Sequence, residues 1–121
     1  MATNSKSVIY YLVAIKTCAR TSGGAYSKNR ANPLPGQGFD PSVFVECSRT
    51  IRDQYPTGTV FLVWATLTSR EGGKPFLYSH HSWKFFRIEE RLAKQWIAEG
   101  KIGKGRMFAT REEIRAVGFD L

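Results

Sequence analysis

Apolar positions along this chain fall into a few compact runs separated by polar and glycine-rich stretches. Val8 to Lys16, VIYYLVAIK, is apolar at nearly every position and rich in β-branched and aromatic side chains, the pattern of a strand buried on both faces. Thr59 to Ser69, TVFLVWATLTS, reads likewise at its start. Phe61, Val63, Ala65 and Leu67 line one face, while Val60, Leu62 and Trp64 line another that turns polar at Thr66 and Thr68. Arg70 to Lys74, REGGK, predicts a hairpin connection through its Gly-Gly, with Pro75 to Ser79 as the return strand and Phe85 to Ile88 as a further short one.

Helical patterning is predicted in three places. Asp40-Pro41 has the form of an N-cap followed by a proline that lacks an orphan N–H, and Phe44, Cys47, Ile51 and Tyr55 then recur on one side until Pro56. Glu89 to Glu99 predicts a second helix with Leu92, Ala93, Trp96 and Ile97 inward and Gly100 at its C-cap. Thr110-Arg-Glu-Glu113 is a capping-box pattern opening a short last helix through Val117, and Met107-Phe108 before it is expected to return to the sheet. Thr17 to Phe39 holds four glycines and two prolines without periodicity, which predicts one long loop. Residues 1–7 read as a polar tail and 8–121 as a single globular domain, with no repeat or linker to divide it. The expected fold is α+β: a small, strongly curved antiparallel sheet, approaching a barrel, with two or three helices.

At 121 residues and 42% hydrophobic content the chain can bury a core without disulfide or metal staples. Its longest apolar runs are too short to cross a bilayer, and MATNSKS is not a secretory leader, so a cytoplasmic protein with no membrane partner is expected. Cys18 and Cys47, without ligand spacing, read as reduced thiols.

Charge changes the picture more. The 18 Lys and Arg outnumber the 10 Asp and Glu, and the excess lies in residues 1–40 (five bases, one acid) and 70–88 (four bases, one acid). Within the second region Phe76 to Arg87, FLYSHHSWKFFR, holds five aromatics, both histidines, Lys84 and Arg87, and no acid. Rings stack on bases while Lys and Arg neutralise phosphate, so nucleic acid is the first partner to consider. Tyr78, His80, Trp83, Lys84 and Arg87 are the candidate face; Phe76 and one of Phe85 and Phe86 are expected in the core. GKIGKGR, residues 100–106, is a second candidate: its glycines give phosphate access to backbone N–H groups, and Lys101, Lys104 and Arg106 add charge. It lacks Walker spacing, so nucleotide hydrolysis of that kind is unsupported. Lys28 and Arg30, in the Thr17–Phe39 segment, complete the candidate set.

The two histidines are adjacent, so on an extended segment their side chains point apart, and no carboxylate or thiol stands at ligand spacing; neither a metal nor another cofactor is expected. Three functions fit these residues. The first is a basic, non-catalytic protein that binds RNA, single-stranded DNA or distorted DNA. The second is a protein-binding or inhibitory module whose basic face docks on an acidic partner; the short, basic, single-domain layout suits a phage or mobile-element product. The third is a metal-independent ribonuclease with His80 or His81 as base or acid and Lys84 or Arg87 stabilising the charged transition state. The oligomeric state stays open.

Overall fold

The computed structural model describes residues 9–19, 29–69 and 73–104, and the backbone of 107–108. Its elements in chain order are β1 (Tyr10–Ala19), β2 (Asn29–Pro33), β3 (Val45–Glu46), α1 (Arg49–Asp53), β4 (Val60–Ser69), β5 (Pro75–Tyr78), β6 (Phe85–Arg87), α2 (Glu90–Ala98) and β7 (Met107–Phe108). The two apolar runs of the sequence, β1 and β4, are the spine. They pair antiparallel from Tyr11↔Ala65 to Lys16↔Val60. β2 and β7 pair antiparallel with β1, β5 and β6 antiparallel with β4, and β3 lies parallel to β5. The strand path β2-β1-β4-β5-β3 curls back on itself, and the Asn32 side-chain amide of β2 donates to the Val43 carbonyl ahead of β3 at 2.9 Å. The result is a nearly closed, barrel-like, mostly antiparallel sheet with two short helices, the α+β architecture the pattern predicts.

Because side chains alternate across a strand, β1 and β4 each feed two cores. Tyr11, Val13, Ile15, Phe61, Val63 and Ala65 point into the barrel, where they meet Val45, Cys47, Ile51 and Leu77. Leu12, Ala14, Val60, Leu62 and Trp64 point outward and are covered by Ala93 of α2, Leu34 and Ile102, with Tyr10, Trp83, Ile88, Trp96 and Ile97 packed around them. Trp64 is fully enclosed, as its strand position predicts. Leu92, expected inward, is 36% exposed, and Ala93 carries the buried stripe of α2 in its place.

Two expectations fail for physical reasons. Asp40-Pro41 opens no helix. The Asp40 carboxylate accepts from the Ser42 amide (2.9 Å) and hydroxyl (2.8 Å), a local Asx turn that competes with capping. Val43-Phe44-Val45 then follows its β-branched and aromatic character into β3, and helix is left only to Arg49–Asp53, capped by Ser48. Nor is Thr17 to Phe39 one loop. β1 runs on to Ala19, and Asn29–Pro33 pairs with it as β2 despite a weak strand composition. Tertiary bonds hold that strand: the Asn29 side chain donates to Arg52 O (2.6 Å) and accepts from the Thr57 hydroxyl (2.9 Å).

Between β2 and β7 the edge of β1 is completed by a side chain. Gln37, 3% exposed, accepts from the Ala14 amide (2.8 Å) and donates to Ala14 O (2.8 Å) and Leu34 O (2.9 Å), acting as a one-residue strand. Gly103 N donates to Leu12 O and Lys104 N to Gln37 O, each at 2.7 Å, which ties residues 100–104 to the same edge. The tail 1–7, the residues 70–72 of the hairpin connection and the helix expected at 110–117 lie outside the described residues. Met107–Phe108 does return to the sheet, opposite Tyr10 and Tyr11.

Candidate nucleic-acid interface

β5 and β6 run antiparallel to successive parts of β4: Tyr78 lies opposite Thr66, and Phe85 opposite Val63. Six residues, 79–84, therefore span what two residues span on β4, and they leave the ladder as an excursion. Its turn closes through Trp83 N to His80 O at 3.0 Å. The His80 ring is held within it, because Nδ1 accepts from the Ser82 amide at 3.0 Å and lies 2.8 Å from the Ser82 hydroxyl. In the neutral ring that acceptor role places the proton on Nε2.

The excursion gathers aromatic rings. His80 and His81 stack with centroids 4.3 Å apart and planes 28° from parallel, so the turn reverses the expectation that these neighbours point apart. Trp83 lies 5.8 Å from His80, 6.2 Å from Tyr78 and 5.6 Å from Tyr10 of β1. Tyr10, Tyr78, His80 and Trp83 are half-buried and His81 and Lys84 are exposed, so the cluster rests on the outer core and opens to solvent. Tyr10 escaped the sequence reading because only the fold brings it beside Trp83. Its place in the register, one residue beyond the Tyr11↔Ala65 pair, is the signal that would have found it.

Arg87 is not part of this cluster. Its Cα partner is Phe61, a barrel-interior residue, and its guanidinium lies over the Tyr55 ring at 5.6 Å, a cation–π contact on the other side of the sheet. Phe85 shares that side, with its ring 5.6 Å from Phe61, whereas Phe86 faces the outer side and is 36% exposed.

The glycine-rich segment is built into the fold. α2 ends in a Schellman arrangement, with Lys101 N donating to Trp96 O and Gly100 N to Ile97 O, and Gly100 at φ 72°. With Gly103 N and Lys104 N also bonded to carbonyls, four amides of the expected phosphate cradle already have acceptors, and Ile102 plugs the outer core. Lys101 is ion-paired with Glu99 at 3.1 Å and sits 6.0 Å from the half-buried Trp96 ring; Lys104 is exposed. The segment reaches β1 at Leu12, and Ile102 belongs to the outer core against which Tyr10 and Trp83 also pack. Arg30 is exposed on β2 opposite Cys18. Lys28 and Arg106 lie outside the described residues.

Electrostatics elsewhere serve the fold. Hydrogen bonds from Lys16 and Lys94 hold the Glu90 carboxyl below the usual carboxylate range and fasten the first turn of α2 to β1. Among the described residues no three His, Cys, Asp or Glu side chains gather in a way that could hold a metal ion, and no helix is long and apolar enough to cross a membrane. Cys18 is exposed and Cys47 buried, both as free thiols. Compared with models of protein families, with curated proteins and with solved structures, the chain matches none.

Proposed function

We propose that the protein binds unpaired or locally distorted nucleic acid on the outer face of its barrel, through the excursion between β5 and β6. One observation carries this reading: Tyr10, Tyr78, His80, His81 and Trp83 converge into a single, partly exposed ring cluster on a segment that carries Lys84 and no acid, in a chain of net charge +8. Exposed rings beside a cation supply stacking and phosphate neutralisation together, and stacking demands bases that are not already paired. The described helices are short, and Lys94 of α2 is ion-paired with Glu90, which favours single strands over intact B-form DNA. Binding needs no catalytic group, and the His80 ring, oriented by Ser82, offers its Nε2–H as a donor to a base edge or phosphate.

The test is a titration of labelled single-stranded RNA, single-stranded DNA and duplex DNA with the wild-type protein and with His81→Ala. His81 is exposed, so its removal leaves the fold in place. Single strands should bind more tightly than duplex, and His81→Ala should weaken them about fivefold or more, the lower end of base-on-ring stacking. Shortened RNA in the same titration would instead mark a ribonuclease. Absence of binding, together with a partner that survives nuclease treatment, would mark a protein-docking module.

A further inference from the structure

The outer face extends beyond the ring cluster. Val45 and Leu77 are Cα partners facing the barrel interior, so Phe44 and Phe76 beside them face outward, and their rings lie 6.3 Å apart. Along β5 the next outward residue after Phe76 is Tyr78, a member of the cluster. Aromatic residues on one face thus run from β3 across β5 and over β4 to Tyr10 of β1, with Thr68 and Thr66 of β4 opposite Phe76 and Tyr78. At the β3 end the two phenylalanines wall a groove of about 630 Å³, with Val43 and Pro75 as further apolar lining and Asp40, Ser42 and Lys74 as its polar part. That volume is in the range that holds a small ligand group. Lys74 is exposed and close enough to Asp40 to help hold its carboxyl below the usual range, behind the larger effect of the Ser42 amide and hydroxyl.

We propose that this groove is a second base-binding subsite of the same surface: an unpaired base stacks on Phe44 while Lys74 meets the adjoining phosphate. The ligand is then a single strand of about four nucleotides, the low end for small single-strand sites, lying across β1, β4, β5 and β3 rather than one extruded base. Continuity with the ring cluster and the charge of Lys74 select a nucleic-acid strand as the occupant. Asp40 repels phosphate but accepts from exocyclic amino groups such as that of cytosine, so the base lies at its end of the groove. The inference rests on the nucleic-acid reading above.

The experiment titrates labelled oligo-deoxycytidine of about two and about six nucleotides, bracketing that footprint, against wild type, Phe44→Ala and Lys74→Ala, with thermal melts of each protein. The longer strand should bind wild type more tightly than the shorter. Phe44→Ala should lose about tenfold on the longer strand, within the range for one stacked base. Lys74→Ala should weaken the same strand through its lost phosphate contact, and both should change little on the shorter. Lys74 is exposed, so its variant tests the groove even where Phe44→Ala melts early. Wild-type binding that neither variant alters overturns the groove and leaves the cluster standing. A wild type that binds neither strand overturns both.

Discussion

Replacing Gln37 by Met keeps its length and removes every hydrogen bond it makes to the sheet edge. The side chain is 3% exposed, and its carbonyl oxygen is the acceptor for the Ala14 amide at 2.8 Å. In Gln37→Met that amide is left buried without its partner, which costs about 1–3 kcal/mol. Leu34 O loses its donor at 2.9 Å, and Ala14 O keeps only the Leu34 amide at 3.0 Å, so the two lost donations add about 1 kcal/mol each. The total is about 3–5 kcal/mol, a large share of the roughly 5–15 kcal/mol that holds a domain of this size together. In a thermal melt it appears as a fall in Tm of about 10–20 °C, and in urea as a lower midpoint at an unchanged slope. Gln37→Glu is the control: it retains an acceptor for Ala14 N–H but sets a carboxylate against two carbonyls, and it should be at least as destabilising. A loss below about 1 kcal/mol in Gln37→Met would refute the view that this side chain completes the edge of β1.

Gly103 has φ 100°, and a Cβ there would lie 2.9 Å from Gln37 Cβ and 3.0 Å from Gln37 O, so Gly103→Ala combines backbone strain with a clash and should lower Tm by about 10 °C or more. Burial raises the Cys47 thiol from 9.0 to about 11. The folded state therefore holds a proton that the unfolded chain releases, and stability falls as pH rises from about 9 to 11, by about 2–3 kcal/mol at the upper end. In urea melts across that window the fall should be smaller in Cys47→Ala than in wild type. A thiol reagent at neutral pH should label Cys18 and leave Cys47 untouched until the protein unfolds. Trp83→Ala should cost about 1–2 kcal/mol, less than the roughly 3–5 of an enclosed tryptophan such as Trp64, while weakening single-strand binding about tenfold.

The spine of the fold was legible because β1 and β4 are apolar at consecutive positions and rich in β-branched and aromatic side chains, the pattern of a strand buried on both faces. α2 was legible from its periodicity and from Gly100, which accepts the positive φ that ends it. β2 was not, because Asn29–Pro33 has no strand propensity of its own and is held by Asn29 and Asn32 bonds to residues distant in sequence. The first helix misled for a related reason. Cys47, Ile51 and Tyr55 do share the interior side, but Phe44 lies in the extended segment that leads into β3, and four-residue spacing cannot tell a helix from a strand followed by a turn of helix. Of the candidate face, Tyr78, His80 and Trp83 do come together, since composition marked the segment. Tyr10 joins them, and Arg87 leaves them, through register alone, which a sequence without known partners between strands does not disclose.

The central claim is that the outer aromatic face grips single-stranded nucleic acid through stacking and phosphate contacts together. The most direct test is the equilibrium affinity of the wild-type protein for one labelled single strand, measured across a series of salt concentrations. Log affinity should fall linearly with log salt, with a slope of about 0.7 for each phosphate neutralised. A salt-independent remainder, attributable to stacking, should persist and shrink in Trp83→Ala. Failure to bind at low salt, or an affinity that does not change with salt, would contradict it.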